Sequence, residues 1–347
     1  MDREPGMSTF SLILPFRNST TRGVTAAIET MSPIPTDLED LRRRIDEIDD
    51  KLQDLLIERF EIVLHVATQK RNGSLSPHQP AREAEIIRRL IARNHSPLPP
   101  STLVRIWREL LAGTTRLQGQ FAVAVFAPTE MSGLWDIARD HYGSHTPLLA
   151  FQSPGPVIRA VTEGQAAVGV LPMPQEEDAA PWWRLLVSAD DNAPRVIARL
   201  PFGPRGNVRT DRVDALAIGH GTQRETGQDR TLLATENALD ISRGRIFAML
   251  SALGLECTFL ASCQHAEGAN TLIELDGFIG LADPRLEGFR AQLGPALYRL
   301  ISFGGYAVPL HMATPSTARP PLAPLGAAIR FSAAAGAANG GPDDAKS

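Results

Sequence analysis

Apolar and polar positions follow two different periods along the chain, and each period points to a different kind of element. From Leu38 onward Leu41, Ile45, Ile48, Leu52, Leu55, Leu56, Val63 and Val66 recur at a spacing near the coiled-coil repeat, with neither proline nor glycine before Gly73. This predicts a helix of about 35 residues, about 50 Å long. Thr36-Asp37-Leu38-Glu39 reads as the capping box that starts it, and Asn72-Gly73 ends it. No domain of this size covers so long a seam from within one chain, so the pattern predicts a symmetric dimer of long helices. A second helix is expected from Pro80 to Ala92, with proline tolerated in its first turn, and a third after Pro97, Pro99 and Pro100, continuing to Gln118.

Beyond Gln118 the pattern changes to short apolar runs. FAVAVFAP, LLAF, AAVGVLPM, RLLVSA, RVIARL and ALAIGHG alternate with helical or loop segments, an α/β layout. From Arg230 the order becomes strand (TLLATE), helix (ISRGRIFAMLSALG), strand (ECTFLAS), strand (NTLIELDGFIG), helix (LEGFRAQLGPALYRLI) and strand (GYAVPL). That is the βαββαβ order of a ferredoxin-like domain, with Phe247, Leu250 and Leu253 expected in its helix core. The chain is therefore read as multidomain: an all-α three-helix module over 36–119, an α/β domain over 120–226 and a βαββαβ domain over 229–313. Residues 1–35 read as a disordered leader and 314–347 as a disordered tail.

Composition narrows the partners. With 347 residues, 43% hydrophobic and a net charge of -4, the protein lacks the broad basic field that nucleic acid or an acidic membrane surface calls for. Any anion must be gripped by a local cluster. The apolar run from Phe10 to Phe16 is too short to span a bilayer and lacks a basic stretch ahead of it. Cys257 and Cys263 are too few for a disulfide framework and have no metal-ligand company, so a reducing, cytoplasmic setting is expected, with Cys257 in the core.

The helical module supplies such a cluster. Arg42, Arg59, Lys70, Arg82, Glu83 and Gln118 fall off the plain apolar stripe, toward a shared polar pocket. Taken singly each is an ordinary helix-surface residue, Arg42 to Asp49 being readable as a solvated charged face. The joint order says more. Leu41-Arg42 with Ile45 and Asp49 in step, Arg59 in LLIER, Lys70 closing the helix, Arg82-Glu83 in the second helix, and Thr114 and Gln118 in the third resemble the all-helical chorismate mutases, found at the N-terminus of bifunctional bacterial enzymes of phenylalanine and tyrosine synthesis. The resemblance covers roughly residues 37 to 120. At Gln79 the family commonly has an Asp and uses backbone.

The resemblance implies a dimeric module that rearranges chorismate to prephenate, one C–O bond breaking as a C–C bond forms, with no cofactor, metal or covalent intermediate. Arg42 and Arg59 would clamp the two carboxylates bidentately, Arg42 reaching into the partner's pocket. Lys70 and Gln118 would donate to the ether oxygen as it gathers charge, an effect that falls on kcat. Glu83 would accept from the ring hydroxyl, while Arg82, Thr114 and Gln79 would complete the substrate's surroundings.

The two later segments are similar to a prephenate dehydratase domain of periplasmic-binding type followed by an ACT regulatory domain. VIRAVTEGQAAVGVLPM and FGGYAVP carry that likeness. The family's functional motifs are replaced. Met173-Pro174-Gln175-Glu176 stands for Ile-Glu-Asn-Ser, Val213-Asp214-Ala215 for the catalytic Thr-Arg-Phe, Pro128-Thr129-Glu130-Met131 for Gly-Thr-Phe-Ser, and Ala261-Ser262-Cys263-Gln264 for Glu-Ser-Arg-Pro. The expectation is a retained fold without dehydratase activity. A working bifunctional mutase and dehydratase, a non-catalytic sensor of shikimate-pathway metabolites and a lyase acting on isochorismate are the alternatives. His141 and His145 lack a third ligand for a metal, Gly203-Pro204-Arg205-Gly206 is a turn, and Trp182-Trp183 is expected to pack between surfaces.

Overall fold

A computed structural model describes residues 37–72, 78–129, 133–176, 178, 180–188, 190, 192–206 and 213–310. The leader through residue 36 and the tail from 311 lie outside the described residues, as do Glu130 and Met131. The fold divides into two compact units, one ending at Thr68 and the other beginning at Gln69.

Helix α1 spans Leu38–Asn72, 35 residues, as its period predicts. Its N-terminus is held by Asp37, whose Oδ2 accepts from the backbone N–H of Glu39 at 3.0 Å. Thr36, the expected cap, is not among the described residues. The Glu39 carboxylate does not turn back to the helix start; it takes Arg42 at 2.8 Å instead, because a guanidinium one turn away offers a charge-assisted bond. The apolar row stays in water: Leu52 is 52% and Leu55 60% exposed, with Leu38, Ile45, Ile48 and Val66 exposed beside them. Stepping by sevens along Leu38, Ile45 and Leu52 leads to Arg59, so this arginine, expected off the apolar stripe, stands in line with it.

In the second unit, α2 (Pro80–Ala92) and α3 (Pro100–Leu117) have the expected bounds. They are followed by β1 (Val123–Phe126), α4 (Gly133–Tyr142), β2 (Leu148–Phe151), α5 (Pro154–Thr162), β3 (Val168–Pro172), β4 (Arg195–Leu200) and β5 (Ala215–Gly219). Then come β6 (Asp229–Asn237), α6 (Arg243–Ala252), β7 (Cys257–His265), β8 (Gly268–Asp276), α7 (Pro284–Leu293) and β9 (Leu297–Ala307). The strands form one nine-stranded sheet in the order β2-β1-β3-β5-β4-β9-β6-β8-β7. Within it β1 runs parallel to β2 and β3, and β5 runs antiparallel to both β3 and β4, giving a mixed α/β layer. The last four strands are antiparallel in the order β9-β6-β8-β7, the ferredoxin-like arrangement expected for βαββαβ.

A single glycine joins the two layers. Gly304 pairs with Val196 where β9 meets β4, at φ 100°, and a Cβ there would collide with the Val196 carbonyl oxygen. Only glycine takes this backbone without strain while letting the strands close up.

Four local expectations change. RLLVSA is no strand: Trp182–Leu186 forms a 3-10 turn after Pro181 that buries Trp182, Trp183 and Leu186 in the α/β core. The last helix stops at Leu293, since Gly294 has φ 51° and Pro295 follows, so LYRLI belongs to β9. Phe247 is 50% exposed; Ile246 and Leu250 take the core side of α6. Cys257 is only partly buried against that core.

The expected boundary at 119/120 runs through packed surface. Ala84 and Ile87 of α2 and Val104 and Leu111 of α3 share a core with Phe202, which lies beyond β4. Arg88 donates to Thr226, Gln228 and Val308, and Glu109 of α3 accepts from the backbone of Ser144. Among the described residues, no helix is long and apolar enough to cross a membrane.

Candidate active site

Helix α2 begins with Gln79 as N-cap and Pro80 in its first turn, and the Gln79 carbonyl accepts the Glu83 backbone N–H at 3.0 Å. This places Glu83 in the first turn, where the helix dipole favours a carboxylate. The side chain meets a cation from the next helix. Arg108 of α3, 4% exposed, donates through Nη1 to Glu83 Oε2 at 2.9 Å. The other oxygen, Oε1, lies 3.8 Å from Nε2 of His78, which is also buried.

Aromatic rings enclose the pair. The Arg108 guanidinium stacks over Phe202 at 5.2 Å, His78 meets Phe121 at 5.4 Å and Tyr142 edge-on at 5.6 Å, and His141 lies against Tyr142 at 4.7 Å. Burial lowers the Arg108 pKa and the Glu83 carboxylate opposes that shift. Burial first, then the positive Arg108, pushes the His141 imidazole well below its ordinary value. Burial and the neighbouring Glu83 raise the Tyr142 phenol. The lowered pKa keeps His141 neutral near neutral pH, and the raised one keeps the Tyr142 phenol protonated.

The remaining expected residues are distributed as follows. Arg82 turns outward to Glu85 at 3.0 Å. Thr114 is buried, its hydroxyl donating to the Leu111 carbonyl at 2.8 Å, and Gln118 closes α3 with its amide on the Thr114 carbonyl at 3.0 Å. Glu83, Thr114 and Gln118 therefore belong to one packed helix pair. Arg42 lies on the exposed start of α1, paired to Glu39, and Arg59 is partly buried further along it, where desolvation lowers its pKa. Lys70 falls within the last turns of α1, and its side chain lies outside the described residues.

Comparison with known proteins fits this helical arrangement. Residues 41–119 match the family model of chorismate mutase type II. The chain carries a chorismate mutase type II region. A bifunctional chorismate mutase/prephenate dehydratase of Pseudomonas aeruginosa is 30% identical over 151 residues, which are 41% of this chain and 40% of that protein. A protein of the same description from Aquifex aeolicus is 31% identical over 96 residues, 26% of each chain. This chain thus spans less than half the length of the relatives it matches. Among solved structures, prephenate dehydratase from Streptococcus mutans aligns with 55% of this chain and 98% of its own at 17% identity, with a TM-score of 0.41.

Arg108 and His78 are the members of the mutase-region cluster that the motif does not mark. A signal for Arg108 exists in the sequence: it stands in the row Val104, Arg108, Leu111, Thr115, every member of which is buried. A charge inside an apolar row demands a partner, and Glu83 is that partner.

Proposed function

We propose that this protein is a chorismate mutase, converting chorismate to prephenate in aromatic amino acid biosynthesis. The observation that carries the reading is the ordered set Arg42, Arg59, Lys70, Arg82-Glu83, Thr114 and Gln118, held within the segment that matches the mutase family. In this reaction no group is transferred to the protein, so the work is to hold a compact conformer and to stabilise the charge growing on the ether oxygen. Arg42 and Arg59 clamp the carboxylates, while Lys70 and Gln118 donate to the ether oxygen, with Arg82, Thr114 and the Gln79 backbone completing the pocket. Glu83 takes the ring hydroxyl. The tie from Arg108 to Oε2 supports that role, since it fixes the carboxylate and leaves Oε1 to accept.

The functional unit is a homodimer through α1, with Arg42 serving the partner's site; the exposed row of Leu52 and Leu55 supports this. The decisive experiment incubates the purified protein with chorismate and identifies the product. Prephenate is expected; chorismate bound but unchanged would favour a metabolite sensor, and pyruvate release would favour a lyase.

The remainder of the chain is a dehydratase-like layer followed by an ACT-like layer, without dehydratase turnover. Where the dehydratase motif places a catalytic threonine, Val213 packs against the α/β core and offers no donor. Where it places arginine, Asp214 is held by Arg199 at 2.9 Å and by Arg205. The relatives named bifunctional favour the opposite reading, and prephenate decides between them: phenylpyruvate formed at a rate above the buffer blank would establish a second activity.

A further inference from the structure

One face of α3 is pressed against the α/β layer. Val104, Arg108 and Ala112 follow one another at the helical spacing of four, and the layer meets the outer two with glycines. A Cβ on Gly203 would lie 2.9 Å from a methyl of Val104, and one on Gly143, at φ 89°, would lie 2.6 Å from the Ala112 Cβ. Neither loop has room for a side chain at these points. On the same face Arg105 pairs with Asp140 at 2.9 Å and Glu109 accepts the Ser144 backbone N–H at 3.0 Å, so the docking is polar as well as close.

Arg108 stands midway along this face, and the residue before each glycine is aromatic. The Arg108 guanidinium lies over the Phe202 ring at 5.2 Å, and Tyr142 is near enough to feel the charges of both Arg108 and Glu83. Phe202 is 4% exposed and packs with Ile87, Val104 and Leu111, while its carbonyl accepts the Leu310 N–H at 2.7 Å. The same ring carries Arg88 of α2 at 5.6 Å, whose guanidinium is bound to Thr226, Gln228 and Val308. One ring of the α/β layer therefore receives a guanidinium from each of the two helices that hold Glu83 and Gln118.

From this face Arg108 reaches Glu83 Oε2 at 2.9 Å. A guanidinium is planar, so resting it on a ring also fixes the direction in which its N–H groups point. Phe202, Arg108 and Glu83 thus form a line of contacts that begins outside residues 41–119, the segment matching the mutase family, and ends at a residue expected to meet substrate.

We propose that Phe202 is a positioning residue for the mutase reaction: through Arg108 it aims the Glu83 carboxylate at the ring hydroxyl of chorismate, so the α/β layer is part of the site's support. This rests on the mutase reading of α2 and α3.

Steady-state kinetics of the full chain on chorismate tests it. The hydroxyl contact is made in substrate and transition state alike, so disturbing its geometry should raise KM and spare kcat. Phe202→Leu keeps the apolar packing and removes the ring face; KM should rise by about tenfold with kcat within about threefold of the parent, the scale of one desolvated cation–π contact. Arg108→Lys keeps the charge without the flat face and should move KM the same way, which carries the test where Phe202→Leu folds poorly. Arg105→Gln loosens the same face of α3 at a more exposed pair and should leave both parameters within about twofold. A Phe202 that only stabilises the fold would act through the amount of active protein, lowering kcat and leaving KM unchanged. That pattern, an unchanged KM in Arg108→Lys, or an equal rise in Arg105→Gln overturns the proposal while the mutase reading stands. A parent protein that leaves chorismate unconverted ends both.

Discussion

Helix α1 and the α2–α3 pair are both rich in charge, and they dispose of it in opposite ways. On α1, Arg42, Arg43 and Arg44 each take a carboxylate one turn away on the same exposed surface. Such pairs contribute a few tenths of a kcal/mol at most. Between α2 and α3 the ionic pair comes from two helices, is buried, and has aromatic rings around it. The apolar residues are arranged the other way round, exposed on α1 and buried on α2 and α3. One helix pair buries its apolar side chains within the chain, whereas the apolar row of the long helix stays exposed, as the proposed dimer requires.

The largest effect should come from spoiling that surface. Leu52→Glu with Leu55→Glu places two carboxylates in the proposed seam and forgoes about 1.5–3 kcal/mol of burial for each leucine. Sedimentation should then report a monomer, and chorismate turnover should fall with it because Arg42 no longer reaches a partner. A parent protein that sediments as a monomer while turning over chorismate would end the reading of α1 as an interface.

Breaking the buried side of the comparison comes next. Arg108→Leu leaves the partly buried Glu83 carboxylate without its cation, and removing one partner of a fully buried pair typically costs about 3–5 kcal/mol, an upper bound for this pair. Urea unfolding should show that loss, with Arg108→Lys milder. Arg43→Ala on α1 should stay within about 0.5 kcal/mol of the parent. Equal effects at the two sites would erase the distinction between them.

These contrasts also explain what could be read from the sequence. The three helices were legible to the residue at α2 because Pro80 marks its start and the apolar period has no competing signal. Apart from RLLVSA, the strands were legible as short apolar runs, and the βαββαβ order of the last layer followed from sequence alone. What stayed hidden depends on contacts distant in sequence. Nothing near Gly304 announces that β9 will pair with β4, nothing near Phe202 announces that two arginines will stack on it, and the turn at Trp182 resembles a strand until its side chains are seen to bury together. For the site, the motif singles out the residues proposed to carry the chemistry, whereas the contact of Glu83 with Arg108 appears only once α2 and α3 are packed.

A smaller effect is confined to catalysis. Lys70→Ala should lower kcat by about 10²–10³-fold, the loss expected for one donor to a developing oxyanion, with KM changed much less. Arg59→Ala should also abolish most turnover, through both parameters, because a carboxylate clamp acts in the ground state as well. Circular dichroism should match the parent for both. If Lys70→Ala instead raised KM and spared kcat, the lysine would be a binding residue only.

The smallest effect is a pH dependence that belongs to the buried side alone. His141 is held well below its ordinary value of 6.5 by burial first and then by Arg108 and His78. The unfolded chain therefore takes up a proton near that value while the folded chain resists it. Stability is complete above it and falls as the pH drops through it, with a slope of at most about 1.4 kcal/mol per pH unit for one proton. Tyr142 acts at the other extreme: its raised phenol stays protonated in the fold, so unfolding is favoured once the pH exceeds the ordinary tyrosine value of 10.0. Urea midpoints measured across the acid range should decline for the parent and flatten in His141→Leu, a variant that leaves every exposed pair of α1 untouched. An unchanged acid slope in that variant would mean that His141 is solvated, and that the α2–α3 cluster is more open than its packing implies.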